Sequence, residues 1–322
     1  MPNWAQLLSE INSQGSVHDV VRRRYVKELS NLTGRNVIVY YSGWLEKQDL
    51  IRQGLTGFEV NDSDKNGFMA VIHGMDRSKG LDLILHTPGG DIAATESLVD
   101  YLRAMFKNDI RVIVPQLAMS AGTMIALSSD EIILGKHSSL GPIDPQINGA
   151  PAHAIKEEFD RATRDISINP ASIPVWQPII AKYSPTLIGE CEKAIDWSNK
   201  MVKQWLETGM FRDHSDKESK ADRVISELGD HALTQTHARH ISFEKAAGLD
   251  LKVTRLESLG QDMQNAVLSV HHACGLTVSS TPAFKIIENQ NDVGFISSAN
   301  MMLTPAPFQA MPQQPGPDPQ QP

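Results

Sequence analysis

The chain has 322 residues, a length that can bury a large core in one domain with appendages or in two small domains. Its 41% hydrophobic and 21% charged residues exclude a fully disordered protein, and its net charge of −8 argues against non-specific nucleic-acid binding, which needs a basic surface. No apolar run approaches the roughly 20 residues of a membrane span, and residues 1–12 lack the features of a signal peptide. We therefore expect a cytoplasmic protein without a membrane span.

The chain begins with a helical pattern over residues 1–32. Apolar residues recur at helical spacing on both sides of a Gly-Ser break, which predicts two helices or a helical hairpin. These residues are Leu7, Leu8, Ile11, Val20, Val21, Tyr25 and Leu29. A first strand is predicted at 36–41, and we place the main domain at 33–256.

Three short strands then alternate with helices. Continuous apolar or β-branched runs at 81–85, 111–115 and 132–134 predict strands, and the spacing between them predicts crossover helices. This order indicates an α/β fold with a mainly parallel sheet, whose ligands bind beyond the carboxyl ends of the strands. Two turns fall at that edge, TPGGD from residue 87 and MSAG from residue 119.

Together these two turns outline a nucleophile beside an oxyanion hole. Gly89 and Gly90 allow backbone N–H groups to point into the crevice, while Ser120 lies at the positive end of its helix. Each turn alone has a plainer interpretation, since a serine before a helix is usually an N-cap and a Gly-Gly pair usually a tight turn. The combination of both turns favours a catalytic role over these plainer interpretations.

Helices predominate after residue 145. The segment 146–225 reads as a helical insertion whose tryptophans and isoleucines suit either a subunit interface or a plain helical core. Residues 257–303 are predicted to form a final helix and an extension. The Pro/Gln-rich residues 304–322 are predicted to form a disordered tail.

Neither the cysteines nor the histidines indicate a metal or a cofactor. Cys191 and Cys274 are too few and too far apart in sequence for a disulfide framework or a metal site, so we expect reduced packing residues. Three histidines, His231, His237 and His240, have a spacing that fits no helix face well, and no acidic ligand is nearby. We predict no metal site and no cofactor.

The motifs TPGGD, MSAGT and SSLGPIDP, in this order, resemble those of the Clp-fold serine proteases. The chain is most similar to the soluble serine dehydrogenase proteinases, relatives of signal peptide peptidase A and the Clp protease proteolytic subunit. The resemblance implies a Clp/crotonase-like α/β fold with added helices. It implies Ser120 as nucleophile, with oxyanion donors from Gly89 or Gly90 and from the Ala121 amide.

The general base is open. In the Clp protease subunit a histidine follows the third strand, but here the matching stretch reads IDP from residue 143. Signal peptide peptidases use a Ser–Lys dyad, and Lys156 and Lys182 bracket the corresponding interval. His237 with Asp144 as its acid partner is the other possibility. A lysine base must be held neutral by burial, whereas a histidine needs an acid to orient it. The lysines are our first expectation.

Three function classes follow from these observations. The first is a peptidase that acts through Ser120. The second is a crotonase-like acyl-CoA enzyme in which Ser120 only caps a helix, and the third is a catalytically silent scaffold. Crotonases usually place glycine in the second turn, so the serine favours the peptidase. We therefore predict a serine endopeptidase that needs no ATP by itself, acts on a peptide or protein, forms a homo-oligomer and binds no nucleic acid.

Overall fold

The computed structural model of the protein describes residues 18–229 and 238–299. Helices and strands alternate along most of this length. In chain order they are α1 (His18–Thr33), β1 (Asn36–Ser42), α2 (Gln48–Arg52), α3 (Asp62–Ile72), β2 (Leu81–His86), α4 (Ile92–Phe106), β3 (Ile110–Val114), β4 (Leu117–Ala118), α5 (Ala121–Leu127), β5 (Glu131–Leu134), β6 (Ser139–Leu140), β7 (Gln146–Ile147), β8 (Ala150–Pro151), α6 (Ala152–Ile168), α7 (Ile173–Ile180), α8 (Leu187–Thr208), α9 (Lys217–Gly229), α10 (Phe243–Gly248), β9 (Val253–Arg255), α11 (Gln261–Ser280), β10 (Ala283–Asn289) and β11 (Gly294–Ser298).

One sheet organises the described residues. Its strand order is β11-β10-β1-β2-β3-β5-β9, and β1, β2, β3, β5 and β9 run parallel to one another. The last two strands in sequence, β10 and β11, complete one edge in antiparallel fashion. This arrangement confirms the predicted α/β fold with a mainly parallel sheet, and β2, β3 and β5 lie where three of its strands were predicted.

Helices cover both faces of this sheet, which is why its central strands are buried and mostly apolar. In β2, Leu81, Leu83 and Leu85 face a core formed with α3, α4 and α5, whereas Ile84 faces a core formed with α1 and α11. The first face is the one beside the Ser120 turn. The crossover helices therefore fix both turns at the carboxyl edge of the sheet.

The segment predicted as a helical insertion contains α6, α7, α8 and α9. Part of it is core, because Trp205 and Leu206 of α8 are buried against the main cluster and Cys191 packs in a smaller cluster beside α6. Both Cys191 and Cys274 are buried and free, as expected. By contrast, α7 buries none of its residues. Over residues 18–229 and 238–299, every helix is too short or too polar to cross a membrane.

Candidate active site

A cavity of about 400 Å³ lies at the carboxyl edge of the sheet, where the TPGGD and MSAG turns meet. Its walls come from both turns, from the segment after β6, and from α8 of the helical insertion. The lining residues are Glu59, Pro88, Gly89, Gly90, Asp91, Ile92, Ala93, Ser120, Met124, Ile143, Asp144, Pro145, Gln146, Ala194 and Trp197. The structure therefore brings Ser120, Gly89, Gly90 and Asp144 to one cavity.

Ser120 stands on a sharp turn between β4 and α5. Its backbone has φ 51° and ψ −116°, a conformation that a residue with a side chain adopts only under strain of about 1–3 kcal/mol. Its side chain makes no capping hydrogen bond to the N-terminus of α5, although that helix begins at the next residue. A strained strand-to-helix turn that presents a serine hydroxyl is the arrangement known as a nucleophile elbow.

Close packing against β2 holds this turn in place. The Met119 N–H donates to the Thr87 carbonyl at 3.1 Å, and a Cβ added at Gly122 would lie 2.5 Å from the Thr87 methyl carbon. Thr123 then joins three segments, because its Oγ1 donates to the Ala118 carbonyl at 2.7 Å and accepts from the Gly141 N–H at 2.8 Å. Because an added Cβ would collide with Thr87, glycine at position 122 allows α5 to approach the end of β2 this closely.

Gly89 lies directly against the serine turn. A Cβ added at Gly89 would be 2.6 Å from the Ser120 Cβ, 2.7 Å from the Met119 carbonyl oxygen and 3.0 Å from the Ala121 nitrogen. Its φ of +100° is in addition a value that favours glycine. The glycine therefore allows the two turns to touch.

Two backbone N–H groups, those of Ala121 and Gly90, lie beside this contact. The Ala121 N–H is the first of α5, and the first four N–H groups of a helix have no acceptor within it. Gly90 is flanked by two bonds to Val60, since the Val60 N–H donates to the Gly89 carbonyl at 2.7 Å and the Asp91 N–H donates to the Val60 carbonyl at 2.9 Å. In extended backbone, successive residues point their N–H groups to opposite sides. The Gly90 N–H therefore points away from Val60.

The Gly89 N–H has a different role, because it donates to the Thr87 Oγ1 at 3.2 Å. Among the residues that the structure describes, the Gly90 N–H has no hydrogen-bond partner. Of the two glycines predicted as alternative oxyanion donors, Gly90 is thus the one whose N–H is available at the cavity. Such paired N–H groups can stabilise an anion on a tetrahedral intermediate.

Carboxylates give the cavity an acidic lining. Asp144 is only 1% exposed, and its Oδ2 accepts from the Gln146 Nε2 at 2.9 Å. The Asp91 side chain caps α4 by accepting from the Ala94 N–H at 2.8 Å. Glu59 is exposed at the rim. Asp144 is therefore a buried carboxylate in the wall of the cavity.

Neither predicted lysine lines this cavity. The Lys156 ammonium, on α6, pairs with Glu192 of α8 at 2.9 Å, and Lys182 is exposed just after α7. His237 lies outside the described residues. The described residues on either side of it are anchored beside Asp144, because the Ile143 N–H donates to the Leu228 carbonyl at 2.8 Å and the Ile241 N–H donates to the Leu140 carbonyl at 2.9 Å.

Two buried histidines lie near the same sheet edge but face the opposite layer. His86, at the end of β2, accepts from the Leu117 N–H through Nδ1 at 3.3 Å, and its ring packs on Tyr41 and Trp44. Burial, with the neighbouring His271, lowers the pKa of His86 well below its ordinary value. Within residues 18–229 and 238–299, no group of three or more His, Cys, Asp or Glu side chains could hold a metal ion.

Sequence reasoning missed several lining residues. Trp197 and Ala194 reach the cavity from α8, and the Trp197 Nε1 donates to Glu96 at 3.3 Å. Glu59 reaches it from the loop before α3. A tryptophan in the insertion was the available signal, but its helical spacing did not tell which side of α8 would cover the site.

A family model described as ClpP-like SDH-type serine proteinase matches residues 7–265. The chain belongs to this family. Two uncharacterized proteins of Methanocaldococcus jannaschii are similar to it. One is 35% identical over 150 residues, which are 45% of this chain and only 50% of that protein's length. The other is 28% identical over 260 residues, which are 78% of this chain and 80% of that protein.

Membership of the ClpP-like serine proteinases confirms the resemblance carried by the three motifs. The mixed α/β architecture with a mostly parallel sheet agrees with a ClpP-like fold. All three motifs lie within the matched residues, whereas β10 and β11 lie beyond them. The protein therefore belongs to a family of serine proteinases, which supports a peptidase at the level of the family.

Proposed function

We propose that the protein is an endopeptidase in which Ser120 is the nucleophile and the N–H groups of Gly90 and Ala121 form the oxyanion hole. The conformation of Ser120 is the observation that carries this proposal. A serine that only capped α5 would have extended backbone and would bond the helix N-terminus, whereas Ser120 has φ 51° and makes no capping bond to that helix. Strained backbone of this kind clusters at active sites, so it supports the proposal that the Ser120 hydroxyl is held in position for reaction at the cavity.

The reaction follows from this placement. Ser120 Oγ attacks the carbonyl carbon of the scissile peptide bond while a base takes its proton, and the carbonyl oxygen becomes an anion that accepts from Gly90 and Ala121. The protonated base then gives the proton to the leaving amine as the C–N bond breaks. Water hydrolyses the resulting ester on Ser120 by the same steps in reverse order.

Two kinds of base are compatible with this scheme. Lys156 would have to leave Glu192 and lose its proton, and Lys182 would have to move from an exposed position. A histidine base would need an acid to hold it, and Asp144 is the buried carboxylate at the cavity. The position of Asp144 therefore favours His237 over the lysines among the residues predicted from sequence.

We also propose that the peptidase is a homo-oligomer that uses α7 as a contact surface. Apolar side chains are exposed on α7 and at the end of α6, with Val175 62% and Ile168 83% exposed. Exposed apolar surface of this kind can mark a protein–protein contact. Light scattering should give at least two subunits of 35.5 kDa, and Val175→Asp should lower that mass. A monomer at micromolar concentration would contradict this proposal.

The test of the proposed activity is hydrolysis of an unstructured protein such as casein by wild type and by Ser120→Ala. We expect release of new amino termini by wild type and none by the variant, with unchanged circular dichroism. Ser128→Ala is a matched control, because this serine ends α5 and its Oγ donates to the Ile125 carbonyl at 2.7 Å. A crotonase-like enzyme or a silent scaffold would release no termini in either protein.

A further inference from the structure

The segment 57–61 determines where the Gly90 N–H points. Val60 forms backbone hydrogen bonds with both neighbours of Gly90, at 2.7 Å to the Gly89 carbonyl and 2.9 Å from the Asp91 N–H. The two backbones are so close that a Cβ added at Gly90 would overlap the nitrogen and oxygen of Val60. Any shift of the segment 57–61 must therefore move the Gly90 N–H.

Two buried charged residues fix this segment. The Lys285 ammonium, on β10, donates to the Glu59 carbonyl at 2.7 Å and to the two oxygens of Asp64 at 2.8 and 3.0 Å. Asp64 in turn accepts from the Asn61 N–H at 3.0 Å. Lys285 and Asp64 are each 2% exposed. One ion pair thus holds the residues on both sides of Val60.

Aromatic side chains complete this arrangement. The Tyr40 hydroxyl donates to Asp64 at 2.7 Å, and the Lys285 ammonium lies 5.6 Å from the centroid of the same ring. Phe58 packs on Phe284, the residue before Lys285, with ring centroids 4.9 Å apart. The ion pair is therefore buried and contacted on several sides, so the close packing leaves little room for a small displacement.

We propose that Lys285 and Asp64 are positioning residues of the oxyanion hole, which act through the segment 57–61 on the Gly90 N–H. This inference rests on the proposed function of the Ser120 site. It assigns a role in the site to β10, which lies beyond the residues matched by the family model. The C-terminal strands then do more than extend the sheet.

A purely structural role makes a different prediction, and the same strand offers the control. Glu288, three residues after Lys285 on β10, pairs with Arg22 of α1 at 2.6 Å, and both side chains are 0% exposed. The contacts of Arg22 are with Glu288, Thr277 and Asp19, none of which belongs to the segment 57–61. Loss of this pair should weaken the fold without moving the oxyanion hole.

The experiment compares Lys285→Met and Asp64→Asn with Arg22→Met. For each folded variant, kcat and KM are measured on a peptide substrate, together with the rate of labelling by a fluorophosphonate. We expect the first two variants to lose about 10- to 100-fold in kcat and labelling rate with KM unchanged, because a misplaced oxyanion donor weakens only the transition state. Arg22→Met should unfold at lower urea concentration while it keeps its kcat.

Several outcomes would overturn the inference. It fails if Lys285→Met or Asp64→Asn folds and keeps wild-type kcat, or if Arg22→Met loses as much kcat as they do. Asp64→Asn preserves the shape of the side chain, so it provides the comparison if Lys285→Met does not fold. Wild-type protein that is not labelled at Ser120 would overturn the proposed function itself, whereas normal labelling of both wild type and Lys285→Met would overturn only the positioning role.

Discussion

Gly89→Ala should lower the rate of the enzyme about 100-fold although Ser120 itself is unchanged. The added Cβ would lie 2.6 Å from the Ser120 Cβ, whereas carbon atoms in contact prefer about 3.5–4.0 Å, so the two turns must separate by roughly 1 Å. A misplacement of about 1 Å in an active site can cost on the order of 100-fold in rate. The positive φ of +100° adds about 1–2 kcal/mol of destabilisation.

Gly74→Ala separates these two effects. Gly74 has φ +76° but no atom within 4 Å of an added Cβ, so it carries the backbone cost without the collision. The assay is kcat/KM on a peptide substrate, with the free energy of unfolding measured in urea for both variants. We expect both variants to lose stability, with the larger loss in Gly89→Ala because of the collision, and about 100-fold lower kcat/KM for Gly89→Ala alone. Equal kcat/KM in the two variants would refute the contact between the turns as a catalytic requirement.

Three further predictions concern strain, acid and the base. Ser120→Gly should have a free energy of unfolding about 1 kcal/mol above that of Ser120→Ala in urea titrations, because only glycine relieves the strained backbone; equal values would argue against strain. Burial lowers the pKa of His271 to about 3, so the unfolded state binds a proton at higher pH than the folded state does. The free energy of unfolding should therefore fall from pH 6.5 toward pH 3, by up to about 1.4 kcal/mol per pH unit. His271→Phe should reduce this slope. If a histidine is the base, kcat should rise with pH near about 6–7, and His237→Gln should remove that rise. A rise near about pH 7–8 that is lost in a lysine variant would contradict a histidine base.

Much of the fold could be predicted because its signals are local. Apolar runs of strand length and the breaks at Gly89 and Ser120 give β2, β3 and β5 and their connections. The meeting of the two turns also follows, since parallel strands end at one edge. The parts of the fold that local sequence patterns determine were therefore predictable.

The C-terminal strands were not predicted, for a physical reason. In β10 the charged residues Lys285 and Glu288 interrupt an apolar run, so the stretch does not read as buried strand. Both are buried because they pair with Asp64 and Arg22, more than 200 residues away in sequence. Such distant pairing leaves no local pattern.

The conformation of Ser120 was hidden in a similar way. Serine before a helix is the commonest pattern of an N-cap, and the packing of this turn against Gly89 and Thr87 involves residues that are distant in sequence. The side chain that would accept the Ser120 proton is likewise determined by long-range packing. Lys156 and Lys182 fell at the expected spacing, but the helical insertion places them away from the cavity.

The central claim is that Ser120 is a nucleophile served by an oxyanion hole. The most direct measurement is the intact mass of the protein after reaction with a fluorophosphonate, followed by mapping of the modified peptide. We predict one adduct per chain, located on Ser120, and none in a folded Ser120→Ala variant. Folded wild-type protein that gains no mass, or gains it at a different residue, would contradict the claim.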